Sequence, residues 1–163
     1  MRKRRSYEPG HRPKFLVVAD DSSEFERALA FAARRAARTG AALVAVAVVA
    51  PPEAQPWLGV GDILREEAEE AANALLERAA VRVQAVSGVA LERHVRSGLP
   101  AEEVRAQIDE DEDIVVLVLG AGTGKEGPGP LVSALAGGAS ANFPIPITIV
   151  PGGLSESEIE ALA

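Results

Sequence analysis

The sequence predicts an α/β fold with a doubly wound parallel sheet. Two observations lead to this prediction. Four largely apolar runs are typical of strands covered on both faces. Segments with apolar residues at helical spacing lie between them. Together with a more polar strand, they give the order β-α-β-α-β-α-β-α-β, which favours a parallel sheet in one domain. The apolar runs are residues 15–19, 43–49, 114–119 and 145–150.

The first half of the chain predicts two helices. The capping-box pattern at residues 23–26 predicts the start of the first, and Gly40 is suited to end it. Asp62 is placed to cap the second helix, and Gly88 to end it. Hydrophobic packing is the expected role of Trp57, in the loop before that helix. The predicted apolar stripe of the second helix is Leu64, Ala68, Ala72, Leu75, Ala79, Val83 and Val86.

The second half contains several polar features. Residues 89–97 alternate apolar and polar side chains, which predicts a strand at the edge of the sheet. Pro100 is expected at the start of a short helix. The acidic run 109–113 precedes a strand, so we expect solvated surface rather than a metal site. His94 has no nucleophile placed beside it, so no catalytic residue is predicted. Residues 155–158 form a capping box for a C-terminal helix.

Composition and charge exclude several classes of function. The chain has 163 residues and no cysteine, so it has no disulfide, thiolate metal site or cysteine nucleophile. The longest apolar stretch, residues 41–50, is about half the length that crosses a bilayer. A signal peptide requires an apolar segment after its basic N-terminus, and none follows here. A net charge of −7 argues against nucleic acid as a partner. We expect a cytoplasmic protein without a membrane partner.

The N-terminal segment is basic, unlike the rest of the chain. The first 14 residues contain one acidic residue, Glu8, and six basic ones: Arg2, Lys3, Arg4, Arg5, Arg12 and Lys14. Such a segment either contacts nucleic acid or anionic lipid, or is a disordered, solvated terminus. We expect residues 1–13 to be a disordered arm. The domain then spans residues 14–151, and residues 152–163 form a tail with a short helix.

Four motifs follow one another along the chain. Residues 15–29 combine an apolar strand, an acidic turn and a helix with an Ala-Leu pair. A strand ends in Pro-Pro at residues 48–52, Gly-x-Pro-Ala occupies 98–101, and Pro-x-Pro opens the strand at 144–150. In this order they resemble the universal stress protein family. The resemblance implies a five-stranded, flavodoxin-like sheet of the adenine nucleotide alpha hydrolase type, with order 3-2-1-4-5. It also implies a homodimer formed through the last strand, Ile145–Val150.

The resemblance also implies where a nucleotide would bind. With this strand order, ligands lie beyond the carboxyl ends of the first and fourth strands. Asp20 follows the first strand, and a glycine-rich loop at residues 120–130 follows the fourth. Nucleotide-binding members place an Asp near the nucleotide and hold ribose and phosphates with Gly-x2-Gly-x9-Gly-Ser/Thr. A glycine loop before a helix is also a physically reasonable phosphate site.

Only the first residue of that motif is kept. Gly120 matches, whereas Thr123, Ser133 and Ala134 replace two glycines and the hydroxyl residue. Thr123 brings a Cβ to a position where positive φ is expected, and Ala134 has no hydroxyl to offer a phosphate. We therefore predict a regulatory, stress-response homodimer with a degenerate nucleotide-binding loop that does not bind ATP tightly.

The alternative is an ATP- or AMP-binding stress sensor with at most slow ATP hydrolysis. It requires a re-registered loop, since the spacing excludes a Walker A motif: only three residues separate Gly120 from Gly124. Without such a function, the loop is flexible surface, and Asp20 caps a turn. No metal site is predicted. The candidate nucleotide-binding residues are Asp20, Gly120, Gly122, Gly124, Lys125 and Ser133.

Overall fold

The computed structural model describes residues 3–51 and 60–163. Arg2, Pro52 and Trp57 lie outside the described residues, as does most of the loop predicted around Trp57. In chain order the elements are β1 (Lys14–Ala19), α1 (Ser23–Thr39), β2 (Ala42–Val49), α2 (Val60–Ser87), β3 (Leu91–Ser97), α3 (Pro100–Glu110), β4 (Ile114–Ala121), α4 (Pro130–Leu135), a 3-10 helix (Gly138–Asn142), β5 (Ile147–Pro151) and α5 (Glu156–Leu162). The five strands pair in parallel in the order β3-β2-β1-β4-β5. The predicted fold class and strand order are confirmed.

The central strand β1 separates two apolar clusters. Leu16 and Val17 are both fully buried, and they belong to different clusters because successive strand side chains point to opposite faces. Residues of α1 and α2 form the cluster around Val17, and residues of α3 and α4 form the one around Leu16. This two-sided burial explains why β1 has a continuous apolar run.

The first turn of α1 is capped one residue earlier than the sequence predicts. Ser22, not Ser23, is the cap, and its Oγ accepts a hydrogen bond from Phe25 N at 3.2 Å. Ser22 N in turn donates to Asp20 Oδ1 at 2.8 Å. Ser23 fits the capping-box pattern through Glu26, whereas Ser22 is followed three residues later by Phe25. The hydrogen bond to Asp20 nevertheless favours Ser22 as the cap. Gly40 ends the helix at φ 76°, as predicted.

The long helix α2 differs from its predicted pattern at its start. The helix begins at Val60, so Asp62 lies in the first turn instead of capping it. Leu64 is largely exposed, and Leu76 is buried more deeply than the predicted Leu75. Because an α-helix has 3.6 residues per turn, its buried face shifts gradually along the sequence. At this point of α2 the buried face falls on Leu76 instead of Leu75. Gly88, with φ 71°, follows the helix as predicted.

Residues 3–13 contact the domain instead of extending as the disordered arm expected from their composition. Arg4 Nη1 donates to the carbonyl oxygens of Ile108 at 2.7 Å and Asp111 at 2.9 Å. These carbonyls lie at the end of α3, whose last turn contains no basic residue. A helix end leaves carbonyls without an intrahelical partner, and Arg4 supplies the donor. Ser6, in the same segment, is buried.

The acidic run 109–113 lies at the amino end of β4, opposite the predicted crevice. Two of its side chains form ion pairs and are largely buried, unlike the solvated surface expected from the sequence. Lys14 Nζ lies 2.8 Å from Asp111 Oδ2, and His11 Nδ1 lies 2.8 Å from Asp113 Oδ1. Only 18% of each of these two Asp side chains is exposed. Among the described residues, no group of three His, Asp or Glu side chains is arranged to hold a metal ion.

The C-terminal helix α5 packs against α1. Ser155 caps it by accepting a hydrogen bond from Glu158 N at 3.1 Å, which confirms the predicted start. Ile159 is fully buried, and Glu156 lies 2.5 Å from Arg82 Nη2 on α2. In the part of the chain described, no helix has the length and apolar character needed to cross a membrane.

The strand β5 is shorter than the predicted 145–150 segment because two prolines precede it. It begins at Ile147, although the carbonyl of Pro146 already accepts a hydrogen bond from Leu117 N at 3.0 Å. As the last strand in the sheet order, β5 pairs on one side only, with β4. The predicted edge position of β3 is confirmed at the opposite side of the sheet.

Candidate functional site

A cavity of about 70 Å³ opens between the carboxyl ends of β1 and β4. This is the position at which the strand order reverses, where ligands bind in such sheets. Of the six candidate residues, Asp20 and Gly120 line this cavity, and the other four do not. Among the described residues, the lining consists of Val18, Asp20, Glu24, Phe25, Leu119, Gly120, Pro128, Gly129, Pro130, Leu131 and Val132.

Asp20 organises the turn between β1 and α1. Its Oδ1 accepts hydrogen bonds from both the N–H and the hydroxyl of Ser22. Ser22 then caps α1 through Phe25 N. The turn-capping role that the sequence offers as an alternative for Asp20 is therefore present, and the exposed carboxylate also faces the cavity.

The glycine-rich loop closes on itself through its own backbone. Gly122 N donates to the carbonyl of Pro128 at 3.0 Å, and Gly127 N donates to the carbonyl of Gly124 at 3.2 Å. Gly127 and Gly129 have φ angles of 88° and 109°, which a side chain would strain. Pro128 has no N–H to offer. The N–H groups of Gly122 and Gly127 thus close a compact turn instead of facing a ligand.

Thr123 does not strain the loop. No residue other than glycine has a positive φ in the described part of the chain, so the expectation of a left-handed position at Thr123 is wrong. The positive angles fall on Gly127 and Gly129 instead.

Lys125 and Ser133 lie away from the cavity. Lys125 is exposed near the tip of the loop, and none of the ion pairs among the described residues includes it. Ser133 is exposed on α4, where its N–H donates to the carbonyl of Gly129 at 3.0 Å. Neither residue belongs to the cavity lining between β1 and β4.

Glu24, in the first turn of α1, was not among the sequence-predicted site residues. A Cβ added to Gly120 would lie 2.6 Å from the carbonyl carbon of Glu24, and one added to Gly122 would lie 3.2 Å from Glu24 Oε1. One added to Gly152, after β5, would lie 3.3 Å from Glu24 Cβ. The sequence could have indicated Glu24 by its position at the start of the helix after β1, because that turn borders the crevice.

The cavity carries negative charge on its lining. Asp20 and Glu24 contribute two carboxylates, and no Lys or Arg in residues 3–51 or 60–163 belongs to the lining. The remaining wall is largely apolar, with Val18, Phe25 and Leu119 among its side chains. The arrangement can hold an uncharged or cationic group more readily than an anion, because two carboxylates repel a third negative charge.

The sequence over most of this fold matches a known family model. The model is that of the universal stress protein family, and it matches residues 11–151. The chain belongs to the universal stress protein family. The match begins three residues before the domain start at residue 14 expected from the sequence, and it ends before α5.

Solved structures of universal stress proteins share this fold. UspA from Lactobacillus plantarum is 19% identical, with a TM-score of 0.71 over 85% of this chain and 97% of that one. A universal stress protein from Archaeoglobus fulgidus, in complex with dAMP, is 20% identical, with a TM-score of 0.60 over 85% and 97%. A universal stress protein in complex with cAMP is 21% identical, with a TM-score of 0.58 over 86% and 98%. No curated protein sequence is significantly similar to this chain.

Proposed function

We propose that this universal stress protein is a cytoplasmic, homodimeric stress-response or regulatory module that does not bind ATP tightly. The observation that carries the proposal is the size of the crevice. It encloses about 70 Å³, whereas sites for small molecules and cofactors typically enclose about 300–1,000 Å³. A nucleotide would therefore have to open the loop at residues 122–129 before it could enter.

The chemistry of the loop supports weak ATP binding. Opening the loop breaks the hydrogen bond between Gly122 N and the Pro128 carbonyl, which lowers the net gain from any new phosphate contact. Ala134 has no hydroxyl, and the exposed Ser133 is not part of the cavity lining. The motif substitutions and the closed loop thus both weaken ATP binding.

The proposed homodimer uses the last strand and its flanking residues, Ile145–Val150. The segment contains no charged residue, and Ile149 is 39% exposed on an edge strand. Proteins usually cover or charge such an edge, because it offers unpaired backbone groups to another strand. Pairing with the same strand of a second copy would satisfy both edges at once.

The second candidate function is an ATP- or AMP-binding stress sensor with at most slow ATP hydrolysis. The observation in its favour is that Asp20 and Gly120, two of the six candidate binding residues, line one cavity at the reversal of strand order. The solved universal stress proteins in complex with cAMP and dAMP support this candidate as well. Loop opening would have to bring Gly122, Gly124, Lys125 and Ser133 towards that ligand.

Native mass spectrometry of the purified protein, followed by calorimetric titration with ATP, tests the two candidates. A ligand-free dimer without measurable heat at millimolar ATP supports the regulatory module. A dimer that carries ATP or AMP, or that binds ATP in the micromolar range, supports the sensor. A monomer at micromolar concentration contradicts the homodimer in both cases.

A further inference from the structure

We propose that an open groove between α2 and β3 is a contact surface for a second copy of this chain, separate from the β5 edge. This α2–β3 groove encloses about 490 Å³ and lies at the β3 side of the sheet, opposite β5. The contact goes beyond the proposed function, because it joins homodimers into tetramers and larger assemblies. Among the described residues, the groove is lined by Glu77, Ala80, Val81, Gln84, Ala85 and Arg93.

The second half of α2 is apolar on two sides. Leu76, Ala79 and Val83 are buried in the core of the domain. Val81 is 67% exposed, and Ala85, which shares its helix face, is exposed as well. A surface helix normally presents a polar face to water, whereas a helix that is apolar all round is usually covered on all sides. The exposed apolar face of α2 therefore indicates a partner on this side of the helix.

Two opposite charges border this apolar face. Glu77 lies one helical turn before Val81, and Arg93 belongs to β3. Arg93 shares a strand face with Leu91 and Val95, which pack in the cluster formed with α1 and α2. Within the described residues, neither Glu77 nor Arg93 forms an ion pair. A second molecule can therefore supply the partner that each charge lacks in this part of the chain.

The arrangement of these charges is self-complementary. In a contact with two-fold symmetry, a residue i of one protomer meets a residue j of the other, and j likewise meets i. Two α2–β3 grooves placed face to face set Glu77 of each protomer against Arg93 of the other, and they bury the apolar faces of both α2 helices. A protein of different sequence has to bring its own acid, base and apolar centre, whereas a second copy carries all three.

The contact uses side chains and does not extend the sheet. The β3 strand carries Glu92, Arg93 and Arg96, and charged side chains on an edge strand discourage the addition of another strand. The β5 strand at the other edge has no charged residue. The two edges of the sheet are therefore suited to two different contacts, so that one contact does not occupy the surface of the other.

Sedimentation velocity of the full chain, at about 5 to 500 μM, tests for association beyond the dimer. Wild type is expected to shift from dimers to tetramers and larger species as the concentration rises. Val81→Lys places a charge in the apolar centre of the contact, so it should abolish this shift and leave the dimer intact. In the Ile149→Lys background, the same contact should join monomers into dimers at the highest concentrations.

Exchanging the two charges tests whether they meet across the contact. Glu77→Arg and Arg93→Glu should each weaken the association about tenfold or more, because each creates like-charged neighbours twice in a symmetric interface. The double variant restores opposite charges and should associate within about threefold of wild type. Arg105→Glu changes an exposed residue of α3 in the same way and is the matched control for net charge. Circular dichroism establishes that each variant retains the fold.

Thiol reactivity gives a second readout. The chain contains no cysteine, so Val81→Cys introduces a single thiol in the α2–β3 groove. Its alkylation rate should fall at least about threefold between about 5 and 500 μM protein, because association covers position 81. Leu162→Cys, at an exposed position of α5, should react equally fast at both concentrations.

The outcomes separate this contact from the proposed function. If wild type stays dimeric up to about 500 μM and the Val81→Cys thiol keeps a constant alkylation rate, the contact is refuted in favour of a partner of another sequence, and the proposed homodimer stands. If Val81→Lys dissociates the dimer and Ile149→Lys does not, the α2–β3 groove is itself the dimer interface, and the β5 homodimer is refuted.

The charge variants decide whether the pairing is specific. If the double variant stays as weak as Glu77→Arg or Arg93→Glu alone, the two side chains do not pair between copies, and the proposed contact is refuted. The same conclusion follows if Arg105→Glu weakens association as much as Arg93→Glu does, because net charge is then the cause.

Discussion

Gly120 at the end of β4 faces the backbone carbonyl of Glu24 in α1 with no space for a side chain between them. A Cβ at Gly120 would collide with the carbonyl oxygen and lie 2.6 Å from the carbonyl carbon. Gly124, four residues further along the chain, has no atom other than those of its chain neighbours within 4 Å of the corresponding position. The two glycines therefore differ physically, although both belong to the glycine-rich segment 120–130: Gly120 packs against α1, and Gly124 lies in open space.

The first prediction concerns this difference. Gly120→Ala should lower the free energy of unfolding by about 1–3 kcal/mol, because a methyl group forces α1 away from β4. Gly124→Ala should change it by less than about 0.5 kcal/mol, because its position is open and its φ is not in the left-handed region. Urea unfolding followed by circular dichroism measures both variants. Equal stability of the two would contradict the close contact between Gly120 and Glu24.

The second prediction concerns the pH dependence of stability. Lys14 Nζ lies 2.8 Å from Asp111 and 3.1 Å from Glu92. Burial is the largest single effect on the pKa of Lys14 and lowers it. The hydrogen bonds and charges of the two carboxylates together outweigh burial and raise the pKa above its ordinary value of 10.5. A raised pKa stabilises the fold fully below about pH 10.5, and this contribution is lost as pH rises through the folded-state pKa.

Lys14→Met should therefore cost about 1–3 kcal/mol at pH 7, because the largely buried Asp111 carboxylate and the more exposed Glu92 carboxylate lose their cation. The difference from wild type should shrink when pH is raised from 9 to 11. Lys3→Met is the control, since the Lys3 side chain is 87% exposed and its ion pair with Glu8 spans 4.0 Å. Urea unfolding at pH 7, 9 and 11 tests this. A stability difference that stays constant across this range would refute the proposed role of the Lys14 ammonium group.

The third prediction concerns what holds α5 to the domain. Ile159 is fully buried. The side chain of Glu156 is half exposed and forms ion pairs with Arg27, Arg34 and Arg82. Ile159→Ala should raise hydrogen exchange of the α5 amides by more than about 30-fold, because a buried Ile contributes about 2 kcal/mol or more. Glu156→Gln should raise it at most about fivefold, since exposed ion pairs contribute about 1 kcal/mol or less. The reverse order of the two effects would show that ion pairs hold the helix.

The sequence predicts the framework of this protein more fully than its site. Continuous apolar runs, Gly40 and Gly88 are local signals, so the strands and two helix ends follow from short windows of sequence. The choice of Ser22 over Ser23 depends on a side chain across the turn, and the burial of Leu76 over Leu75 depends on where α2 meets the sheet. The contact that selects Ser22 is local, two residues away in the sequence, but the capping-box pattern does not include it. The burial of Leu76 arises from tertiary packing, which a local pattern does not contain.

The same limit applies to the crevice. Asp20 and Gly120 are predicted together because strand order alone brings the carboxyl ends of β1 and β4 side by side. Lys125 and Ser133 depend on the path of a loop whose shape is set by its internal hydrogen bonds, and they lie elsewhere. Glu24 enters the crevice because glycines from two other segments leave room for it, which requires knowledge of three segments at once.

The last prediction concerns the proposed dimer. Ile149 is an exposed apolar residue on the edge strand β5, and a lysine there would place a charge where a second β5 strand has to approach. Ile149→Lys should therefore convert the dimer into a monomer of 17.0 kDa. Leu162→Lys is the matched control, because Leu162 is also exposed but lies on α5, and this variant should remain dimeric. Size-exclusion chromatography with light scattering at micromolar concentration measures the mass of each. If Ile149→Lys remains dimeric, the interface lies elsewhere. If Leu162→Lys also dissociates, loss of the dimer cannot be assigned to the β5 edge, because α5 would take part in the contact.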